Sequence, residues 1–187
     1  FLMRDLLGHS PGSRTDAISD AQSSIRATMV DISPAMISRQ RQTLENFPVR
    51  YLQSDFFDID HDIIQDQDLV IMNEILGDFP TACHMTSDMA TCENHDDKFF
   101  KKIREYISGG IIELPAYEPF NLNIGAMIAL EKLCSCNVPN IFLSEHSCEA
   151  TVNDHMSRYI KRKPAGNPEE IRLIGHSEYT IRFSQLE

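Results

Sequence analysis

The chain is short of positive charge, of long apolar runs and of paired cysteines, and each shortage closes off a class of function. Seventeen Lys and Arg stand against 28 Asp and Glu over 187 residues, a formal net charge of −11. Such a balance repels phosphate backbones and anionic membrane surfaces, which excludes nucleic acid as a general electrostatic partner. The longest apolar runs, such as Leu69 to Met72 and Ala126 to Leu130, fall far short of the roughly 20 residues of a bilayer crossing. No membrane partner is expected, and the chain reads as soluble. Five cysteines are an odd count in a chain large enough to do without staples, and no basic-plus-apolar leader precedes them. A reducing, cytoplasmic setting is the expectation.

Other absences remove specific chemistries. Cys134, Cys136 and Cys148 with His146, and Cys83 and Cys92 with His84 and His95, lack the C-x-x-C spacing of structural zinc, so the cysteines read as small buried hydrophobes and no metal is expected. Ser144, Glu145 and His146 have no G-x-S-x-G elbow around them, and adjacency in sequence is not triad geometry. Lys161-Arg162-Lys163 is the one basic cluster and reads as decoration of a helix end. Met127, at helical spacing beside Leu130, reads as core filling.

What remains is the composition of one globular domain over 1–187, 42% hydrophobic and 24% charged, with enough chain to bury a core. Phe1 to Leu7 has helical spacing, and 10–24 reads as a polar loop. Ala27 to Ile32 reads as a strand. Ser33-Pro34 then supplies an N-cap and a proline at the first helical position, opening a helix to about Asn46. Val49 to Gln53 is a second strand, Asp58 to Asp66 a short helix or loop, and Asp68 to Asn73 a third, fully buried strand. A helix is expected over 96–108, ended by Gly109-Gly110, then a strand at Ile111 to Leu114, a helix at Leu122 to Leu133 and a strand at Asn140 to Ser144. A helix over 151–161 and a hairpin of Glu170 to Ile174 with Glu178 to Phe183 close the chain. Residues 81–100 lack strong patterning until Phe99 and read as a substrate-cover insertion. Strands alternating with helices predict an α/β fold: a mostly parallel sheet, helices on both faces and the hairpin as an antiparallel edge.

In such sheets ligands bind beyond the carboxyl ends of the strands. There the sequence offers Asp31, then Asp55-Phe56, then Asn73-Glu74. A carboxylate past a strand can accept from both hydroxyls of a ribose, and an Asp beside a Phe can accept from an adenine amino group while the ring covers its face. Together they suggest a nucleoside site, although an acid at a strand end more commonly caps a turn.

VDISPAMISRQRQTL, SDFFDID and NEILGDFP, in that order, resemble segments of the class I S-adenosylmethionine-dependent methyltransferases, and particularly the MidA-like family. The residues that carry the likeness are Asp31 with Ser33, Pro34 and Gln40, then Asn73, Glu74, Asp78 and Pro80. Asp31 stands where Glu is more usual, and Gly77 and Phe79 depart from the family pattern. The likeness covers about the first 80 residues well. It implies a Rossmann-like methyltransferase domain, with the N-terminal strand and glycine loop of that family missing ahead of Phe1. It also implies S-adenosylmethionine as cofactor, with Asp31 and Ile32 at the ribose, Asp55 and Phe56 at the adenine, and Asn73 at the methionine portion. Glu74, with Asn73, would be catalytic and hold a protein acceptor, an arginine in the relatives, bidentately. The rival expectations are a scaffold protein that keeps the fold without the cofactor, and a small-molecule methyltransferase walled by 81–100.

Overall fold

The computed structural model describes residues 25–92, 97–149, 155 and 166–187. The expected helix at Phe1 to Leu7, the 10–24 loop, His95, Lys161-Arg162-Lys163 and, apart from His155, the 151–161 helix lie outside them. Packing divides the chain into two compact units, Phe1–Asp60 and His61–Glu187, each described by itself.

In the first unit, β1 (Ala27–Asp31) pairs in parallel with β2 (Val49–Gln53), Ala27 opposite Val49 and Asp31 opposite Gln53. Parallel strands need a crossover, and α1 (Pro34–Thr43) provides it, packed on both strands. Its start follows the expected chemistry: the Ser33 hydroxyl accepts from the Met36 N–H at 3.4 Å, and Pro34 occupies the first turn. Ile37 and Leu44 turn inward to the strands. The Arg41 guanidinium lies 4.8 Å from the centroid of the Tyr51 ring, a cation–π contact worth about 0.5–1 kcal/mol when exposed.

The second unit opens with α2 (His61–Gln65) and β3 (Val70–Asn73), and β3 pairs in parallel with β6 (Ile141–Ser144). Between them lie β4 (Ala82–Met85), α3 (Ser87–Thr91), α4 (Lys98–Ser108), β5 (Phe120–Leu122) and α5 (Ile124–Ser135). β4 and β5 are antiparallel, as are β7 (Glu170–Arg172) and β8 (Ser177–Tyr179). The core gathers Met85, Ala90, Ile103, Tyr106, Ile112, Phe120, Leu122, Ile124 and Met127, and each large apolar side chain among them contributes roughly 1.5–3 kcal/mol by leaving water. Asp97 caps α4 by accepting from Phe99 N at 2.8 Å, and Gly110, at φ 70°, ends the helix region in the left-handed conformation that glycine adopts without cost.

The architecture is thus mixed α/β, with two parallel pairs, two antiparallel pairs and helices among the described residues. Several local expectations need correcting. Ile111 to Leu114 is not a strand: the Ile111 and Ile112 amides both turn back to the Tyr106 carbonyl, and Pro115 follows with no N–H to donate. Regular structure begins before Phe99, in β4 and α3, which bury Met85 and Ala90 in the core. β3 is only partly buried, with Met72 enclosed and Val70 and Ile71 half-exposed, because it has one strand neighbour among the described residues. The closing hairpin forms a sheet of its own, and just beyond it Ile181 bridges Ser147, which follows β6. β8 lies instead against the 3₁₀ turn Leu76–Asp78, where Gly77 lets it approach closely: a Cβ there would stand 2.6 Å from the Tyr179 carbonyl oxygen.

Candidate functional site

At the carboxyl rim of the first unit, Asp31 ends β1 opposite Gln53, and its carbonyl accepts from Ser54 N at 3.2 Å. Asp55 follows directly, so both acids sit on one rim of a parallel pair whose strands run about 4.8 Å apart. The Asp31 carboxylate accepts from Ser33 N at 2.9 Å through one oxygen and from Gln40 Nε2 at 3.2 Å through the other. Each oxygen keeps a second lone pair for a further donor. Gln40 is held by this bond while its buried Oε1 finds no donor among the described residues. Asp55 accepts from Phe57 N at 2.9 Å and caps the 3₁₀ turn Phe56–Asp58. Phe56 and Phe57 meet edge to face, centroids 5.9 Å apart. Capping thus uses part of each carboxylate, in keeping with the commoner role of acids at strand ends, and leaves acceptor capacity on both. Ile32, just beyond the rim, is 67% exposed.

In the second unit, Asn73 ends β3 opposite Ser144, and Glu74 N donates to the Ser144 carbonyl at 2.8 Å. Glu74 has φ 51°, a left-handed conformation that costs a non-glycine residue about 1 kcal/mol or more and concentrates at functional positions. Its carboxylate is exposed and bonds to nothing among the described residues. The alternative role for Glu74, capping the next turn, is filled by Glu145: one carboxylate oxygen accepts from Gly77 N at 3.1 Å and the other from His146 N at 2.9 Å. Glu145 is therefore a turn-holding group rather than part of a hydrolytic triad.

Compared with protein-family models, with curated proteins and with solved structures, the chain gives no match.

Three features of the second unit escape a linear reading. Asp78, His176 and Glu178 bring ligand-type atoms within 4.8 Å of one another, with His176 Nε2 3.6 Å from Asp78 Oδ1. Asp78 is 98 residues from His176 and 100 from Glu178, so only the His176-x-Glu178 alternation, which puts two side chains on one face of an extended segment, carried a signal. Asn123, 2% exposed, donates to Thr180 O at 3.2 Å and Thr81 Oγ1 at 3.3 Å and accepts from Arg182 N at 3.1 Å. Tyr179 is linked to Cys83; that hydrogen bond first, then burial, pushes the phenol up to about 12 and keeps it protonated. The cysteines divide by burial: Cys136 and Cys148 are enclosed and Cys134 is exposed.

Proposed function

We propose that the chain is a Rossmann-like methyltransferase domain that uses S-adenosylmethionine to methylate a protein, or another acceptor of similar size, in the cytoplasm. The observation that carries this reading is Glu74, an exposed carboxylate with no partner among the described residues, on a left-handed backbone at the carboxyl end of a parallel strand. The resemblance of the Asp31, Asp55 and Asn73-Glu74 segments to that family supports it.

The residues of the β1–β2 rim suit the adenosine half of the cofactor. The free lone pairs of Asp31 can accept from both ribose hydroxyls, with Ile32 beside them. Asp55 can accept from the adenine amino group, and Phe56 can cover the ring. The family resemblance gives the methionine portion to Asn73, in the second unit. When bound, the cofactor supplies an activated methyl on a positively charged sulfur, and the protein's part is alignment and proton removal. Glu74 would hold an acceptor such as a guanidinium through two parallel hydrogen bonds and draw its proton, raising electron density at the attacking nitrogen.

Calorimetric titration of the full chain with S-adenosylhomocysteine tests the reading. Saturable heat in wild type and its loss in Asp31→Ala are expected. Glu74→Gln should bind as wild type does and yet transfer no methyl. Absence of heat in wild type would refute the enzyme reading in favour of a scaffold, and full turnover by Glu74→Gln would remove that residue from the chemistry.

A further inference from the structure

The fold assembles a second constellation that the transferase reading does not use. Asp78 sits at the end of the 3₁₀ turn Leu76–Asp78, while His176 and Glu178 belong to the β7–β8 hairpin. Arg172 pairs opposite Ser177, and Ile171 opposite Glu178. Because side chains alternate across a strand, Arg172 shares a face with Ser177, away from Glu178. The Arg172 guanidinium is engaged by Glu170 at 3.1 Å. Among the described residues no Lys or Arg pairs with Asp78 or Glu178, so two carboxylates stand close together with an imidazole as their one neighbour of opposite tendency.

Two backbone features hold the three donors in register. The hairpin tip turns at Gly175, with φ 97°, and the Leu173 N–H donates to the His176 carbonyl at 3.0 Å. The turn bearing Asp78 is pressed on β8 at Gly77, where there is no room for a Cβ. The donors therefore converge because the backbones beneath them are in close contact.

We propose that Asp78, His176 and Glu178 form a binding site for a divalent first-row transition cation, zinc serving as the probe. One imidazole nitrogen and two carboxylate oxygens are a donor set such ions accept. Zinc ligands lie about 2.0–2.2 Å from the metal, which puts them roughly 3.4 Å from one another in a tetrahedron. The observed spread, 3.6 Å for the imidazole–Asp78 pair and no more than 4.8 Å overall, closes to this by rotation of partly exposed side chains. The cation neutralises the paired carboxylates and clasps the hairpin to the turn that follows Glu74. The site does not depend on the transferase reading, since no residue assigned to the cofactor or the acceptor contributes to it.

Zinc titration of the metal-stripped full chain, followed by calorimetry and by thermal melting, tests the assignment. One zinc per chain and a melting temperature that rises with zinc are expected. Changes to groups that only support metal ligands cost about 10-fold or more in affinity, so Asp78→Asn and His176→Gln, which remove ligands, should each cost at least that. His176→Asp keeps a donor at the same position and should retain most of the binding, which separates loss of a ligand from loss of fold. Wild type that takes up no zinc overturns the proposal. Binding that survives Asp78→Asn and His176→Gln, or is lost equally in His176→Asp, does the same. Titration of the metal-stripped chain with S-adenosylhomocysteine reads the transferase proposal separately.

Discussion

Asn123→Ala removes one small side chain and orphans the groups it serves. Asn123 sits where β5 hands over to α5, and its amide joins the Thr180 carbonyl and the Thr81 hydroxyl to the Arg182 amide. Among the described residues the 180–182 segment is held by the Ser147–Ile181 bridge and by Thr180 N, which donates to the Glu169 carbonyl at 3.0 Å, and Asn123 ties down the Thr180 carbonyl and the Arg182 amide that these leave over. Truncation leaves the Thr180 carbonyl and the Arg182 N–H without their partner, in a place that water reaches poorly. Each such group costs about 1–3 kcal/mol, and the Arg182 amide, being only partly buried, belongs at the low end. The expected loss is about 2–4 kcal/mol, or on the order of 5–12 °C in melting temperature for a chain of this size. Urea unfolding followed by circular dichroism measures it. Asn123→Asp should fare no better, because a carboxylate oxygen would then face the Thr180 carbonyl. A loss below about 1 kcal/mol for Asn123→Ala would refute the claim that this amide secures the carboxyl-terminal segment.

Other consequences can be measured on the same protein. Gly125→Ala would put a Cβ 2.7 Å from Pro80 N and 2.9 Å from Phe79 Cβ, so a destabilisation of about 1–3 kcal/mol is expected by denaturant titration. Burial alone would raise the Glu131 carboxyl, but hydrogen bonds from Lys102 and Tyr106 outweigh it and hold it below the usual range. A depressed carboxyl stabilises the fold above its unfolded value and loses that contribution as pH falls through its folded one. Tyr106→Phe, which deletes a 2.8 Å bond to this half-exposed group, should therefore cost about 0.5–1.5 kcal/mol at pH 7 and progressively less below about pH 4. A cost independent of pH across that range would contradict the network. Burial first, and then the nearby Glu149 charge, push the Cys148 thiol up to about 11. A thiol reagent at pH 8 should thus label exposed Cys134 rapidly and Cys148 only on unfolding, and equal rates would sink the burial argument.

Local chemistry accounts for much of this protein's secondary structure. Ser33-Pro34 set the start of α1, Asp97 and Gly109-Gly110 bounded α4, and the β-favouring side chains of Val49, Tyr51 and Leu52 and of Ile141 to Leu143 made strands of Val49–Gln53 and Ile141–Ser144, because caps and local propensity act within a few residues. The acids at the strand ends were equally visible. Their hydrogen bonding was not: Glu145, 71 residues on in sequence, holds the turn that Glu74 could have capped, and only folding decides which of two carboxylates is left over. Pairing was also a tertiary matter. β4 and β5 are short and unremarkable in sequence, and they became strands because Met85, Phe120 and Leu122 bury each other against α4 and α5. The approach of Gly77 to β8 gathers Asp78, His176 and Glu178 from opposite ends of the second unit, a closeness that no spacing rule along the chain encodes.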